Sequence, residues 1–413
     1  MASNAPLFAR QPIFDRQQQV VAYELLFRHS DENYSEFVDG DQATSHVLLN
    51  TFGGRQLESV IGKHKAYINY TRNLLISPPD LPREKVVIEV LENIIADDEV
   101  IEGLIQLQQS GYEIALDDYF INRETKKLLH FANIIKIDVL SSSEAQLIKY
   151  IAALKPLKLI LLAEKIEDYE MLKHCKELGF DLFQGYFLCK PEIIRGAKVS
   201  ANRTAIIRLI SILNAENSTH SEIVAAVSSD AGLSYKILKL VNSAAIGLSR
   251  QIESLSQSIS LLGLNKIRNW ATFILMASNQ NKPEELSIIS LCRAKFCEHM
   301  GQHVKDKNFA QTCFTVGILS NLDSFLDMPM YELRNELSLA KNIEDALIEG
   351  TGVEGLLLET ARAFERGDWS MINWPALENQ KIFAENLNDW YTESISGAIK
   401  LVQETTHPDD RTA

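Results

Sequence analysis

The stretch Glu113–Lys165 reads EIALDDYFINRETKKLLHFANIIKIDVLSSSEAQLIKYIAALKPLKLILLAEK and contains three β-rich runs separated by longer segments. Each run ends in charged side chains. The segment Ser142–Leu154, between the second and third runs, has the apolar spacing of an amphipathic helix. Strands that alternate with helices predict βα units, whose strands pair in parallel.

The same pattern extends over the first 190 residues, where we predict eight strands. They are Leu7–Phe14, Val20–Phe27, Ala66–Thr71, Val86–Leu91, Glu113–Tyr119, Ile134–Leu140, Leu159–Lys165 and Leu182–Leu188. Eight strands with intervening helices indicate a closed, TIM-like (β/α)8 barrel. The first connection, Asp15–Gln19, is too short for a crossover helix, so the first two strands are predicted to form an antiparallel hairpin.

The second half of the chain has a different pattern. From Arg203 onward, helical spacing continues with breaks at turn-like sites such as Gly263 and Pro283. We therefore predict two domains, an α/β barrel over residues 5–195 and an all-α domain over residues 200–403.

Composition excludes several classes of protein. The 413 residues carry 41 Lys and Arg against 55 Asp and Glu, and the net charge of -14 is spread evenly over both halves. Without a basic excess, a nucleic-acid polymer is not expected as the main partner. Neither a run of the roughly 18–20 apolar residues that a membrane span needs nor a secretory signal is evident, so we expect a cytoplasmic protein without a membrane partner.

Polar side chains stand in or just after seven of the predicted strands. They are Glu24 with Arg28, Asn69, Glu89, Asp117 with Asp118, Lys136, Glu164, and Gln184. Each alone is more often a solvated rim residue, but the carboxyl ends of parallel barrel strands meet at one mouth, so we expect the set to converge. Crowded carboxylates raise one another's pKa values, and divalent cations relieve this conflict. The pattern predicts metal-assisted chemistry on a phosphate ester.

Several motifs in this half together resemble the EAL domain. They are Gln11-Pro12, Tyr23–Arg28 with Leu25 in place of the middle Ala, Ile68-Asn69, Ile88–Glu92, Leu116–Asp118, Ile135–Asp138, Ala163–Glu167 and Gln184–Pro191. The resemblance covers roughly residues 5–195. It implies a modified TIM barrel that hydrolyses cyclic di-GMP to linear pGpG with Mg²⁺ or Mn²⁺.

The resemblance also implies a role for each candidate residue. In a two-metal site, one ion would be held by Glu24, Asn69, Glu89 and Asp117, and the second by Asp117 and Asp118. Glu164 would be a ligand, base or water-holder, Lys136 and Gln184 would orient the attacking water, and Gln11 and Arg28 would contact the substrate.

Two stretches depart from the family pattern. The family's Phe-Gly-Thr-Gly loop is replaced by Tyr119–Arg123, which has neither glycine and must therefore fold differently. The Ala-Glu-Gly-Val-Glu motif has Lys165 and Ile166 in its centre. The ligands favour a phosphodiesterase, whereas the altered loop favours weak, regulated or lost activity. A catalytically inactive barrel that senses cyclic di-GMP, or acts as a protein-interaction scaffold, therefore stays open as the alternative.

The second half resembles the HDOD domain, a helical relative of HD-type phosphohydrolases. The resemblance runs from about Arg203 to Asn388 and is carried by Ser229–Ser249 and Ser258–Asn265. Where the hydrolases bear a His-Asp pair, this chain has Ser320-Asn321, so no metal hydrolysis is expected in this half.

Three other residues in this half could suggest chemistry. We interpret Asn242 as a packing or capping residue rather than a catalyst. His299 and His303, four apart on one helix face, are interpreted as solvated because no third metal ligand is evident.

The combined architecture resembles bacterial YuxH-like signalling proteins. It implies a regulatory or interaction role for the helical domain, a protein partner that the sequence does not identify, and control of motility and biofilm formation. Whether the chain forms a homodimer stays open.

Overall fold

The computed structural model describes residues 7–28, 55–120, 122, 125–192, 201–243, 252–278 and 282–406. Two compact units divide the chain. The first comprises Met1–Leu188 with Phe364–Trp369, and the second comprises Cys189–Ala363 with Ser370–Ala413.

The strands described in the first unit close into one barrel. In barrel order they are β1 (Leu7–Phe14), β2 (Val20–Arg28), β3 (Lys65–Tyr70), β4 (Val86–Val90), β5 (Glu113–Leu116), β6 (Ile134–Asp138), β7 (Ile160–Ile166) and β8 (Leu182–Gly185). Strand β1 pairs antiparallel with both β2 and β8, and all other neighbours pair in parallel. The predicted TIM-like barrel and its antiparallel first pair are confirmed.

Helices of the first unit connect these strands. They are α1 (Arg55–Ile61), α2 (Arg72–Ile76), α3 (Asp98–Gln109), α4 (Thr125–Leu128), α5 (Glu144–Leu154) and α6 (Tyr169–Leu178), with 3₁₀ turns at Lys155–Leu157 and Phe187–Cys189. Local sequence sets their ends. The Asp97 carboxylate accepts a hydrogen bond from the Val100 amide at the start of α3, and Gly179, with a left-handed backbone, ends α6.

A layer of buried apolar residues lies inside the barrel and positions the polar residues. This apolar layer consists of Ile13, Ala22, Tyr67, Val87, Ala115, Ile134 and Leu162. On strands β2 to β7, a polar candidate follows each member by two residues, as Glu89 follows Val87. Because side chains two residues apart on a strand share a face, the polar candidates form the next layer toward the carboxyl ends of these strands.

Two strands end three residues earlier than the sequence predicted, while β6 ends two residues earlier and β3 and β4 end one residue earlier. Strand β5 ends at Leu116 rather than Tyr119, because the backbone turns away at Asp118, where φ is 40°. Strand β8 ends at Gly185 rather than Leu188, and a 3₁₀ turn follows it. The predicted boundaries were wrong at these two ends because an apolar pattern continues through each turn.

The described part of the second unit is helical, as predicted. The helices described from residue 201 onward are α7 (Ala201–Asn214), α8 (His220–Ser228), α9 (Ala231–Val241), α10 (Leu255–Leu262), α11 (Leu264–Ala277), α12 (Glu284–Val304), α13 (Lys307–Leu319), α14 (Leu322–Leu326), α15 (Met330–Glu336), α16 (Lys341–Ile348), α17 (Gly352–Arg366), α18 (Trp374–Asn379) and α19 (Ala384–Thr406). The long helix α12 packs against α13 and α19. Gly317 allows the close approach of α13, since a Cβ there would lie 2.6 Å from Ala294 Cα. Within the residues described, no helix combines the length and apolar character needed to cross a membrane.

Candidate active site

The side chain of Lys136 lies at the centre of the polar layer. Its Nζ atom lies 2.7 Å from Glu89 Oε1, 2.8 Å from Asp117 Oδ1, 2.9 Å from Glu164 Oε1 and 3.1 Å from Glu24 Oε2. The Lys136 side chain is 1% exposed and that of Glu89 is fully buried. Four strands or strand ends thus bring one carboxylate each to a single ammonium group.

Amide side chains complete the cluster around Glu24. Asn69 donates to Glu24 Oε1 at 3.2 Å, and Gln184 donates to Glu24 Oε2 at 2.7 Å. Gln184 also donates to Gln11 Oε1 at 3.0 Å, which links β8 to the antiparallel strand β1. These donors and Lys136 make Glu24 the best-satisfied carboxylate of the group.

The pKa values at this site reflect burial and the uneven sharing of positive charge. Burial alone would raise the pKa of Glu24, but Lys136 and the two amides outweigh it, so the pKa lies below its usual value. Burial would likewise lower the pKa of Lys136, yet the surrounding carboxylates hold it well above its usual value. Lys136 therefore stays charged in this site.

The other two buried glutamates lack the same support. Burial raises the pKa of Glu89 well above its usual value, and burial raises that of Glu164 to about 8, with neighbouring carboxylates adding to both shifts. Glu89 Oε2, Glu164 Oε2 and Asn69 Oδ1 are buried and have no hydrogen-bond partner among the described residues. Unpartnered buried oxygens of this kind suit a hard divalent cation.

A second, smaller cluster lies at the ends of β5, β6 and β7. Lys165 Nζ lies 2.6 Å from Asp138 Oδ2 and 3.6 Å from Asp118 Oδ2. Asp138 Oδ1 accepts hydrogen bonds from the backbone amides of Leu140 and Ser141. Burial would raise the pKa of Asp138, but Lys165 and these amides hold it below its usual value.

The structure brings together most of the predicted site residues. Those that converge are Gln11, Glu24, Asn69, Glu89, Asp117, Lys136, Glu164 and Gln184. Asp118 instead pairs with Lys165, and the Arg28 side chain lies outside the described residues, as do residues 121 and 123 of the altered loop. Across the described ranges, no three acidic, His or Cys side chains form a ready-made metal-binding group. The Lys136 ammonium lies among the carboxylates.

The sequence patterns did not predict that Asp138 takes part in the second cluster. It stands two residues after Lys136 on β6, and this spacing places both side chains on one face of the strand. That signal was available within the motif Ile135–Asp138. The partner of Asp138, Lys165, appeared in the sequence only as a departure from the family pattern.

In the second unit, a buried arginine lies at the Ser320-Asn321 pair. Arg293 Nη1 donates to Ser320 Oγ at 2.7 Å and to Asn321 Oδ1 at 2.6 Å. Asn321 Nδ2 donates in turn to Ser290 Oγ at 2.8 Å. This pair therefore takes part in a buried hydrogen-bond network between α12 and the end of α13.

The three other candidates in this unit make structural contacts. The Asn242 side chain, at the carboxyl end of α9, hydrogen-bonds both the amide and the carbonyl of Ile252, which supports its interpretation as a packing residue. His303 Nε2 lies 2.8 Å from the Lys381 carbonyl oxygen, and His299 Nε2 lies 3.9 Å from a Glu393 carboxylate oxygen.

Comparison with known proteins identifies two domain families in this chain. The family model of the EAL domain matches residues 56–191, and that of the HDOD domain matches residues 201–362. A closed barrel with carboxylates at its strand ends thus precedes an HDOD domain in one chain.

Two relatives align with most of this chain. YuxH of Bacillus subtilis is 34% identical over 95% of this chain and 98% of its own length. The cyclic di-GMP phosphodiesterase CdgJ of Vibrio cholerae is 32% identical over 90% of this chain and 87% of its own length. The chain belongs to the EAL–HDOD family.

A solved structure resembles part of the chain more distantly. The calcium and cyclic di-GMP complex of Klebsiella pneumoniae BlrP1 is 22% identical, with a TM-score of 0.37, over 44% of this chain and 54% of its own.

Proposed function

We propose that the barrel is a phosphodiesterase that hydrolyses cyclic di-GMP to linear pGpG with Mg²⁺ or Mn²⁺. The observation that carries the proposal is the convergence of Glu24, Glu89, Asp117 and Glu164 on one buried Lys136. The name of the CdgJ relative, a cyclic di-GMP phosphodiesterase, supports the substrate.

A divalent cation would be held by Glu24, Asn69, Glu89 and Asp117. These residues fit such an ion, because Glu89 Oε2 and Asn69 Oδ1 are buried oxygens without a hydrogen-bond partner among the described residues. When bound, the cation supplies Lewis-acid polarisation of the phosphoryl oxygens and neutralises the charge that develops on them.

Three side chains would act on the attacking water. Glu164 Oε2, which has no hydrogen-bond partner in the described part of the chain, would accept a proton from the water. Gln184 and the Lys136 ammonium would orient that water. The water oxygen forms the new bond to phosphorus, one ester bond to phosphorus breaks, and the released ribose oxygen takes up a proton.

Two residues would contact the substrate. Gln11 is joined to Gln184 by a hydrogen bond and so lies at the edge of the acidic cluster. Arg28 ends β2, four residues after Glu24, and its guanidinium would pair with a phosphate.

The HDOD half would serve as a regulatory or interaction module without hydrolytic activity of its own. The Arg293 side chain supports this proposal, because it already uses the oxygen atoms of Ser320 and Asn321. A cytoplasmic location and a protein partner for this half belong to the same proposal, as do homodimer formation and control of motility and biofilm formation.

Turnover of cyclic di-GMP by the full chain tests the enzymatic proposal. Purified protein with Mn²⁺ or Mg²⁺ should release pGpG, detected by chromatography, and EDTA should stop the reaction. Glu89→Gln should lower the rate by at least about 10-fold, the smallest loss typical of changes to groups that support metal ligands. Glu113→Gln is the matched control, because Glu113 lies at the opposite end of the strands, where it pairs with Lys65 on the half-exposed surface.

The second candidate function is binding of cyclic di-GMP without hydrolysis. The pairing of Asp118 with Lys165 favours it, since a predicted metal ligand is already partnered by an ammonium group. Calorimetric binding of cyclic di-GMP with no pGpG released under either metal would establish this function and overturn the enzymatic proposal.

A further inference from the structure

Lys165 occupies an unusual backbone position at the mouth of the barrel. Strand β7 has one extra residue opposite β8 between Ala163 and Ile166, which forms a β-bulge. Within the bulge, Lys165 has a φ of 59°, a left-handed conformation that favours glycine. A lysine here is tolerated only if its side chain or the surrounding structure holds it in place.

The contacts of the Lys165 ammonium supply that support. Asp138 binds it at 2.6 Å and is itself fixed by two backbone amides. The ammonium is thereby held 3.6 Å from Asp118 Oδ2, while Asp118 Oδ1 is buried and lacks a hydrogen-bond partner among the described residues. Asp118 also has a positive φ, of 40°, so both members of the pair adopt a strained backbone.

We propose that Lys165 is a tethered cation that neutralises Asp118 in place of a second metal ion, so that the barrel binds a single divalent cation. The inference rests on the proposed function, in which Glu24, Asn69, Glu89 and Asp117 hold the first ion. An ammonium group and a divalent cation repel each other at contact distance. Four carboxylates surround Lys136 and leave negative charge for an ion, whereas Lys165 lies against two, Asp138 and Asp118. Asp118 therefore has one cation to pair with, and the chain itself carries it.

Counting bound Mn²⁺ on the full chain tests the proposal directly. The loss of the free-ion signal in electron paramagnetic resonance during a titration gives the number of ions per chain. Wild type should bind about one ion, and Lys165→Gly should bind about two, with the spectral broadening of two neighbouring ions. Glycine suits the left-handed backbone, so this variant should retain the fold, and Lys165→Gln provides a second variant of similar length.

The matched control is Lys158→Gly. Lys158 is an exposed lysine with a φ of 57° at the opposite end of β7, so the substitution removes the same charge from the same backbone conformation. Its metal count should equal that of wild type. A Lys158→Gly variant that also gained an ion would overturn the inference, because the gain would then not depend on Asp118.

The remaining outcomes separate this inference from the proposed function. Two ions bound by wild type, or equal counts in wild type and both Lys165 variants, would overturn the inference and leave the phosphodiesterase proposal standing. No ion bound by wild type would count against the metal dependence of the proposed function. In that case, a gain of one ion in Lys165→Gly would still support the role of Lys165. The absence of such a gain would refute that role.

Discussion

Replacement of Lys136 by methionine removes the ammonium group that contacts the four carboxylates, while keeping a side chain of similar length. Its Nζ atom lies 2.7–3.1 Å from all four, and the side chain is almost completely buried. Removing one partner from a buried ion pair typically costs about 3–5 kcal/mol, because the remaining charge stays buried and uncompensated. We expect a loss of this size in the stability of the barrel.

The Lys65–Glu113 pair provides the comparison. These atoms are also close, at 2.8 Å, but the two side chains are 41% and 45% exposed. Exposed pairs contribute about 0–1 kcal/mol because water screens them. Lys65→Met should therefore have little effect, although it breaks an equally short ion pair in the same barrel.

Hydrogen exchange read by mass spectrometry measures both variants on the full chain, with EDTA present. A loss of about 3–5 kcal/mol corresponds to exchange faster by roughly two to three and a half orders of magnitude in peptides covering β4 and β5. Lys65→Met should speed exchange by less than about tenfold. Equal exchange in the two variants would refute the argument that Lys136 stabilises the buried carboxylates.

Three further changes probe other features of the fold. Gly185→Ala should destabilise the barrel by roughly 2–4 kcal/mol in urea unfolding, because φ is 152° there and the new methyl group would overlap the Ile166 backbone. Unchanged stability would contradict this and show that β7 can move aside. Asn242→Ala should cost about 1–2 kcal/mol in the same measurement, since it removes both hydrogen bonds to the Ile252 backbone. Asn242→Asp should also destabilise the chain, because its carboxylate would face the carbonyl oxygens of Leu238 and Ile252, and unchanged stability in both variants would contradict the packing role of Asn242. Burial raises the pKa of Asp323, so its ionisation opposes folding once the pH rises above the pKa of the same carboxyl group in the unfolded chain. The melting temperature of Asp323→Asn should therefore exceed that of wild type by more at pH 7 than at pH 4. A constant difference would contradict this.

Much of the barrel could be predicted because its strands have a clear pattern in the sequence. The run Val86–Val90 is buried on both faces and is apolar except for Glu89, as suits a parallel strand covered by helices, and it begins where the sequence predicted. The ends of strands were harder to predict, because Asp118 and Gly185 turn the backbone while the apolar pattern continues. Conformation at single residues decides such ends, and composition does not reveal it.

The sequence predicted which residues lie at the candidate site, but not which of their side chains pair. Strand order places Glu24, Glu89 and Glu164 at one mouth, and this much follows from the topology of any parallel barrel. That Lys136 contacts all of these carboxylates depends on how far each strand is staggered when the barrel closes, which the sequence does not state. The pairing of Lys165 with Asp138 depends on a bulge, a feature of two strands together.

The two-residue offset between the apolar layer and the acidic residues restricts how the length of this chain can change. Deleting one residue within β3 between Tyr67 and Asn69 would turn the amide away from Glu24 and bring an apolar side chain toward it. The same deletion in a connection between strands would leave both layers in register. Insertions and deletions should therefore accumulate between the strands of related chains, while the strands themselves keep a constant length.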